Sequence, residues 1–181
     1  GLRNLTVMEN AVQSIRKTHP DFDLETIPLD DPQTYKMLSS GGTMGVFQFE
    51  SQGMKRVLSR MGPTCIEDLT AALALYRPGP MKSIDTYIEN RKHPEKITYL
   101  APHLEPILKV THGCLVYQEQ VMQVCRELAG YSYGHADIVR RAMSKKKHDV
   151  MEKERITFVE GAVERGVSAE AANKVFDLIV D

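Results

Sequence analysis

The sequence predicts a mainly α-helical protein: an irregular array of many short helices with at most a small two-stranded β element. Apolar residues recur at steps of three and four along most of the chain, which is the spacing of one buried helix face. Turn signals rich in Gly and Pro interrupt this pattern often, so the helices are expected to be short. Only two stretches look extended, 45–49 (GVFQF) and 114–117 (CLVY).

The predicted helices follow one another along the chain, and two of them begin at recognisable start signals. Asp31 before Pro32 is typical of an N-cap followed by proline in the first turn. Thr64 with Glu67 three residues later has the spacing of a capping box. The apolar faces expected to be buried are, in chain order, Leu5, Met8, Val12 and Ile15; Met54, Val57, Leu58 and Met61; Ile66, Leu69, Leu73 and Tyr76; Val121, Met122, Cys125 and Leu128; Met151, Phe158, Val159 and Ala162; and Ala172, Val175, Phe176 and Ile179.

Composition excludes several classes of protein. The chain has 181 residues, of which 42% are hydrophobic and 26% charged, so a disordered chain is excluded. The net charge of −1 excludes a globally basic nucleic-acid coat, although it permits a local basic patch. No apolar run approaches the length of a membrane span. Three cysteines without Cys-x-x-Cys spacing argue against a disulfide framework or zinc ribbon and favour a reducing, cytoplasmic location.

The two ends of the sequence are unusual. The chain starts without Met inside a helical pattern, and it stops at 176–181 (FDLIVD) without a helix-stop signal. Natural termini usually end in polar, frayed segments. We therefore expect residues 1–181 to be a single piece excised from a longer protein.

The most informative segment is the basic window at 138–148. It contains no acidic residue and five cationic ones: Arg140, Arg141, Lys145, Lys146 and Lys147. Like charges at helical spacing repel, which is easier to understand if an anion such as a phosphate binds there. Arginine offers forked hydrogen bonds to phosphate oxygens and lysine offers a mobile charge. The alternative is a solvated basic face near a helix C-terminus, where cations suit the helix dipole.

Other possible sites give weaker signals. Asp21 and Asp23 have the spacing of a metal-binding carboxylate pair, but turn chemistry explains them better, and we assign no metal site to the chain. The glycine-rich segment 41–45 (GGTMG) lacks the Lys-Ser/Thr ending of a phosphate-binding loop. Arg77 stands at a rigid Pro-Gly-Pro bend, which is either an ordinary turn or a fixed position for contacting an anion.

Four motifs occur in one order: GVFQFES at 45–51, LYRPGPM at 75–81, VYQEQVM at 116–122 and RRAMSKKK at 140–147. Together they resemble the C-family replicative DNA polymerases, the family of the bacterial DNA polymerase III alpha subunit. The resemblance spans essentially the whole chain. It implies that residues 1–181 are the N-terminal part of a largely helical fingers domain, beginning just after the palm. The palm aspartates that bind the catalytic metals would then lie outside the chain, and the chain alone would be inactive.

The resemblance also implies roles for individual residues. Arg140 and Arg141 would bind the triphosphate of the incoming nucleotide, with Lys145 beside them. Because consecutive residues lie about 100° apart on a helix, the two arginines are expected to point in different directions and to reach different oxygens. Second-rank candidates for nucleotide binding are Arg77, Gln48 and Gln118. The DNA backbone would be contacted by Lys146 and Lys147.

Further expectations concern the parent enzyme. Its cofactor would be Mg²⁺ bound by palm residues, and its ligands would be template-primer DNA and a deoxynucleoside triphosphate. A sliding clamp, a clamp loader and a proofreading subunit would bind through regions outside this chain. No membrane partner is expected. Two alternatives remain from the residues alone: a stand-alone helical nucleic-acid-binding module and a helical protein-interaction scaffold.

Overall fold

A computed structural model describes residues 3–145 and 147–180, and within them the fold is helical, as predicted. These residues form ten α-helices and no β-strand. Short 3₁₀ turns lie between several of the helices. The α-helices are α1 (Arg3–Arg16), α2 (Pro32–Ser40), α3 (Gln52–Met61), α4 (Ile66–Leu75), α5 (Ile84–Lys92), α6 (Glu105–Leu108), α7 (Gln118–Ala129), α8 (Tyr133–Ser144), α9 (His148–Glu164) and α10 (Ala169–Val180).

The buried apolar side chains form two clusters. The N-terminal core joins α3, α4 and α5 and is made of Phe49, Met54, Val57, Leu58, Met61, Ala71, Ala72, Leu75, Ile84, Tyr87, Ile88 and Cys114. The C-terminal core joins segment 101–108 to helices α7 to α10 and is centred on fully buried side chains such as Leu128, Val139, Phe158 and Phe176. The helices that form these two cores are therefore buried mainly against neighbours in the same part of the sequence.

Some predicted helix faces are confirmed and others are wrong. The faces of α3 and α10 are buried in full. Helix α1, by contrast, buries no residue against the described chain, although its apolar spacing is helical. Helix α4 is buried most deeply at Ala71, Ala72 and Leu75. Of its expected face, Leu69, Leu73 and Tyr76 pack partly buried against the same core, and only Ile66 is exposed.

Of the two predicted start signals, one is confirmed. The Asp31 carboxylate caps α2 by accepting a hydrogen bond from the Thr34 N–H (2.8 Å). The capping box at Thr64 and Glu67 is wrong, since the N-cap of α4 is Cys65. Thr64 instead donates from its N–H (2.8 Å) and its hydroxyl (3.3 Å) to the Asp68 carboxylate.

The segment 45–49 is folded into turns rather than extended. The Val46 N–H donates to the Thr43 carbonyl (3.1 Å) and the Phe49 N–H to the Val46 carbonyl (3.0 Å). The buried Thr43 hydroxyl closes the loop by donating to the Phe49 carbonyl (2.6 Å). These bonds hold Gln48 at φ +67°, a left-handed conformation that non-glycine residues rarely adopt.

A largely buried ion pair connects α5 to α4 and to the turn that precedes α4. The Arg91 guanidinium donates from Nε and Nη2 to the two Asp68 oxygens (2.7 and 2.6 Å). It also donates to the Met61 carbonyl (2.9 Å) and the Thr64 hydroxyl (3.1 Å). Burial would raise the pKa of Asp68, but hydrogen bonds from Arg91 and Thr64 outweigh it, so this pKa lies below its usual value.

Gln120, in the first turn of α7, is buried and fully hydrogen-bonded. Its Oε1 accepts from the N–H groups of Val116 and Tyr117 (both 2.9 Å). Its Nε2 donates to the Ile107 carbonyl (3.2 Å) and the Thr111 hydroxyl (2.8 Å). One side chain thus fixes the entrance of α7 to the preceding segment.

Helices α7 and α9 approach each other closely. A Cβ added at Gly161 would lie only 2.3 Å from the Ala129 carbonyl oxygen, so a glycine is needed at this crossing.

Among the described residues, no helix is long and apolar enough to cross a membrane.

Candidate nucleotide-binding site

Helix α8 contains the arginines of the basic window and is fixed in place by an N-cap and by packing against the C-terminal core. The Ser132 hydroxyl caps the helix by accepting from the His135 N–H (3.2 Å). Ala136, Val139 and Ala142 are buried in the C-terminal core and fix the rotation of the helix. The opposite side of α8 is thereby turned outward, and it contains Asp137 and both arginines.

Arg140 and Arg141 converge on one carboxylate, that of Asp137. Arg140 donates from Nε (2.9 Å) and Nη2 (2.7 Å) to Asp137 Oδ1. Arg141 Nη2 lies 2.6 Å from Asp137 Oδ2. On a helix, the side chains at positions i+3 and i+4 lie one turn after position i and on either side of it. Two consecutive residues can therefore reach the same side chain at position i. The expectation that the two arginines point in different directions is therefore wrong.

Gln118, the first residue of α7, adds a second support for Arg140. Its Oε1 accepts from Arg140 Nη1 (3.0 Å), and its Nε2 donates to the Ser144 hydroxyl (3.2 Å). That hydroxyl in turn donates to the Arg140 carbonyl oxygen (2.9 Å). We call Asp137, Arg140, Arg141, Gln118 and Ser144 the arginine cluster. It joins the outward side of α8 to the start of α7.

The arginine cluster remains accessible and keeps a net positive charge. The side chains of Asp137 and Arg140 are each 28% exposed, and that of Arg141 is 67% exposed. A hydrogen bond from Arg140, together with the positive charges of both arginines, holds the pKa of Asp137 below its usual value. Asp137 is thus ionised at neutral pH, and two guanidinium groups face one carboxylate.

The lysines of the basic window follow directly after the cluster. Lys145 is exposed and forms the C-cap of α8, where its N–H donates to the Arg141 carbonyl (3.0 Å). Lys147 is exposed at the start of α9, with its N–H bonded to the Ala142 carbonyl (3.0 Å). Lys146 lies outside the described residues. Lys145 and Lys147 thus extend the positive surface beyond the arginines.

Arg77 and Gln48 are not part of the arginine cluster. Both residues are exposed. Arg77 follows α4 and Gln48 precedes α3, and both of these helices belong to the N-terminal core. Within residues 3–145 and 147–180, no hydrogen bond or ion pair joins either side chain to the cluster. Their assignment to nucleotide binding stays a prediction.

Two members of the cluster, Asp137 and Ser144, are not among the site residues predicted from the sequence. The basic window begins at residue 138, one position after Asp137, which is the only acidic residue paired with its arginines in the described part of the chain. Asp137 could have been found from its i+3 and i+4 spacing to the two arginines. Ser144 stands at i+4 from Arg140, a spacing typical of hydroxyl bonds to a helix carbonyl.

Of the Asp21–Asp23 pair, Asp23 has a local structural role, in agreement with turn chemistry. Asp23 precedes a 3₁₀ turn at Leu24–Thr26, and its carboxylate accepts from the Glu25 N–H (3.1 Å). Both aspartates are exposed. Nothing in this geometry brings a third metal-binding side chain to them among the described residues.

Comparison with known proteins gives a consistent result over this fold and cluster. Residues 4–166 match the family model described as the bacterial DNA polymerase III alpha subunit finger domain. The chain is 48% identical over 99% of its length to DNA polymerase III subunit alpha from Staphylococcus aureus strain COL. It is 46% identical over 99% of its length to the subunit of the same name from Staphylococcus epidermidis. The chain spans 17% of the length of each relative. The chain belongs to the finger-domain family of the bacterial DNA polymerase III alpha subunit.

Proposed function

We propose that the chain serves as the N-terminal part of the fingers domain in a replicative DNA-directed DNA polymerase, and that its arginine cluster binds the triphosphate of the incoming deoxynucleotide. One observation supports this most directly. Two accessible guanidinium groups converge on a single carboxylate, so one positive charge is left uncompensated. Family membership favours this function over an unrelated nucleic-acid module or protein scaffold.

The contribution of these residues to nucleotidyl transfer is binding and orientation. Arg140 and Arg141 offset the negative charge of the triphosphate and align it for in-line attack by the primer hydroxyl. Because the cluster is fixed to both α7 and α8, its donors are held in position before the nucleotide arrives. Lys145 lies next to this surface and adds positive charge.

Metal chemistry belongs to another part of the proposed enzyme. In two-metal nucleotidyl transfer, Mg²⁺ activates the attacking hydroxyl and stabilises the leaving pyrophosphate. In the described part of this chain, no group of three or more His, Cys, Asp or Glu side chains is placed to hold a metal ion. On the basis of the finger-domain match, we assign metal binding to palm residues elsewhere in the full-length subunit and expect the chain alone to be inactive.

The proposed partners follow from the same function. Template-primer DNA would contact the positive surface after the arginine cluster through Lys147 and, outside the described residues, Lys146. Contacts of this kind neutralise phosphates and do not read the sequence. Clamp, clamp loader and proofreading subunit would bind elsewhere in the full-length polymerase.

Alanine substitution of each arginine in the full-length subunit tests the proposed function. We expect Arg140→Ala and Arg141→Ala each to lower the efficiency of single-nucleotide incorporation by about ten- to a hundredfold, because each removes charged hydrogen bonds to the triphosphate. The measurement is the incorporation rate against nucleotide concentration, with thermal melting recorded for each variant.

A matched control is Arg60→Ala, since Arg60 is also exposed and paired with an aspartate, Asp85, but lies in the other half of the chain. Its nucleotide dependence should equal that of the wild type. If both cluster variants keep the wild-type nucleotide dependence, the arginine cluster does not bind the triphosphate.

A further inference from the structure

We infer that Asp137 is a positioning residue, which holds Arg140 and Arg141 side by side and leaves their remaining N–H groups available to the triphosphate. This inference rests on the proposed function, because it assigns a task to a carboxylate within the same cluster. Asp137 is the only acidic side chain bonded to either arginine among the described residues.

The Asp137 carboxylate offsets electrostatic repulsion between the two arginines. Arg140 and Arg141 are neighbours on one helix, and without a counter-charge their guanidinium groups would repel and move apart. Asp137 offsets that repulsion by giving one oxygen to each: Oδ1 to Arg140 and Oδ2 to Arg141. The carboxylate therefore brings together two groups that would otherwise diverge.

Both arginines keep unused N–H donors after they pair with Asp137. An arginine side chain has five N–H donors. Arg140 uses three of them, from Nε and Nη2 to Asp137 and from Nη1 to Gln118. One N–H on each terminal nitrogen of Arg140 is left, and within the described residues Arg141 is paired through Nη2 alone. A triphosphate can therefore be bound while Asp137 keeps both arginines.

Arg140 is held from two sides. Asp137 lies one turn earlier on α8, whereas Gln118 belongs to α7, and the two bond to different nitrogens of the guanidinium. Side chains ordered before binding lose less entropy when the ligand arrives. Asp137 orders both arginines and Gln118 orders one, so Asp137 is the larger contributor.

A competing role would have the opposite sign. If Asp137 acted as an internal competitor that occupies the arginines until the nucleotide displaces it, removing the carboxylate would strengthen nucleotide binding. If it positions the arginines, removing it weakens binding. The direction of the change in KM thus separates the two roles.

The test uses Asp137→Ala in the full-length polymerase, with Asp149→Ala as a matched control. Asp149 is an exposed carboxylate in the first turn of α9, and no hydrogen bond or ion pair joins it to either arginine. We expect Asp137→Ala to raise the KM for the nucleotide about tenfold, through the lost ordering of two side chains, with a smaller change in kcat. Affinity for template-primer DNA and the melting profile should be unchanged.

Two further variants complete the design. Asp137→Glu keeps the negative charge, so its KM for the nucleotide should lie between the values of Asp137→Ala and the wild type. A purely structural defect would not be relieved in this way. In the double variant Asp137→Ala with Arg140→Ala, the two effects should fall short of additivity, because each substitution removes part of one shared network.

The outcomes separate this inference from the proposed function. If Arg140→Ala and Arg141→Ala leave the nucleotide dependence unchanged, the proposed function fails and the inference falls with it. If the arginine variants are impaired while Asp137→Ala equals Asp149→Ala, only the positioning role is overturned. A lower KM in Asp137→Ala would also overturn it, in favour of competition.

Discussion

Two aspartate–arginine groups lie in opposite halves of the chain and differ mainly in what surrounds them. Asp68 and Arg91 join α4 to α5 beside the N-terminal core, with side chains that are 4% and 18% exposed. Asp137 binds Arg140 and Arg141 on the outward side of α8, where exposure is 28% for the aspartate and 28% and 67% for the arginines. The chemistry of the pairs is the same, but their access to other ligands is not.

The difference shows how one pair type can hold a fold or prepare a binding site. Arg91 directs its donors inward, to both Asp68 oxygens, to the Met61 carbonyl and to the Thr64 hydroxyl. These bonds use four of its five N–H groups, and the side chain is only 18% exposed, so Arg91 offers little to a ligand. Arg140 and Arg141 keep free N–H groups after pairing, so the same type of ion pair leaves room for an anion.

The largest expected effect comes from breaking the buried pair. Asp68→Asn should lower the free energy of unfolding by about 3 kcal/mol, because Arg91 would be left partly buried without a counter-charge. Urea unfolding of the 181-residue chain, followed by circular dichroism, measures this. Asp137→Asn is the matched variant at the exposed group and should change stability far less. Equal losses in the two variants would show that burial does not set the contribution of such a pair to stability.

Acid titration provides an independent control for the same substitution. The pKa of Asp68 is lowered in the folded state relative to its ordinary value of 3.8, so its contribution is fully present above that value. This contribution is lost as the pH falls through the lower, folded pKa. The stability difference between wild type and Asp68→Asn should accordingly shrink on acidification below about pH 4. A difference that stays constant down to the lowest pH would remove the charge pair as its cause.

A smaller loss is expected when the charge is kept and only the shape changes. Arg91→Lys should cost about 1.5 kcal/mol, because an ammonium group can pair with Asp68 but cannot also reach the Met61 carbonyl and the Thr64 hydroxyl. The same urea experiment measures it. Wild-type stability in this variant would mean that charge alone, rather than the forked geometry, holds α5 to the turn.

The smallest effect should come from a third pair that is more exposed than either. Arg60 and Asp85 meet at 2.6 Å on the surface, with side chains 56% and 77% exposed. Asp85→Asn should change the free energy of unfolding by no more than about 0.5 kcal/mol. A loss approaching that of Asp68→Asn would show that burial does not decide the value of these pairs.

The helical class was predictable because it depends on local spacing. The faces of α3 and α10 repeat at helical steps and are buried as expected. The same spacing in α1 shows only that the helix is amphipathic, because the partner for an apolar face is not encoded in the face itself. The turns at 45–49 depend on the Thr43–Phe49 bond, which a run of apolar residues does not reveal.

The candidate site was predictable to a similar degree. Arg140 and Arg141 were identified from charge and from the resemblance, and the Asp137 spacing was available in the sequence. The bond between Gln118 and Arg140 joins residues 22 positions apart on different helices, so periodicity alone could not place them in contact. Such contacts arise from packing of α7 against α8 rather than from any local pattern.

The buried Gln120 has a consequence for motion at the entrance of α7. The amide hydrogens of Val116 and Tyr117 belong to no helix, yet both are bonded to a carboxamide that is itself fixed by Ile107 and Thr111. Their exchange with deuterium is therefore coupled to release of this side chain instead of to fraying of a helix end. Gln118 follows Tyr117 directly in the sequence. The residue that supports Arg140 is therefore attached to a backbone segment whose opening requires release of the Gln120 side chain.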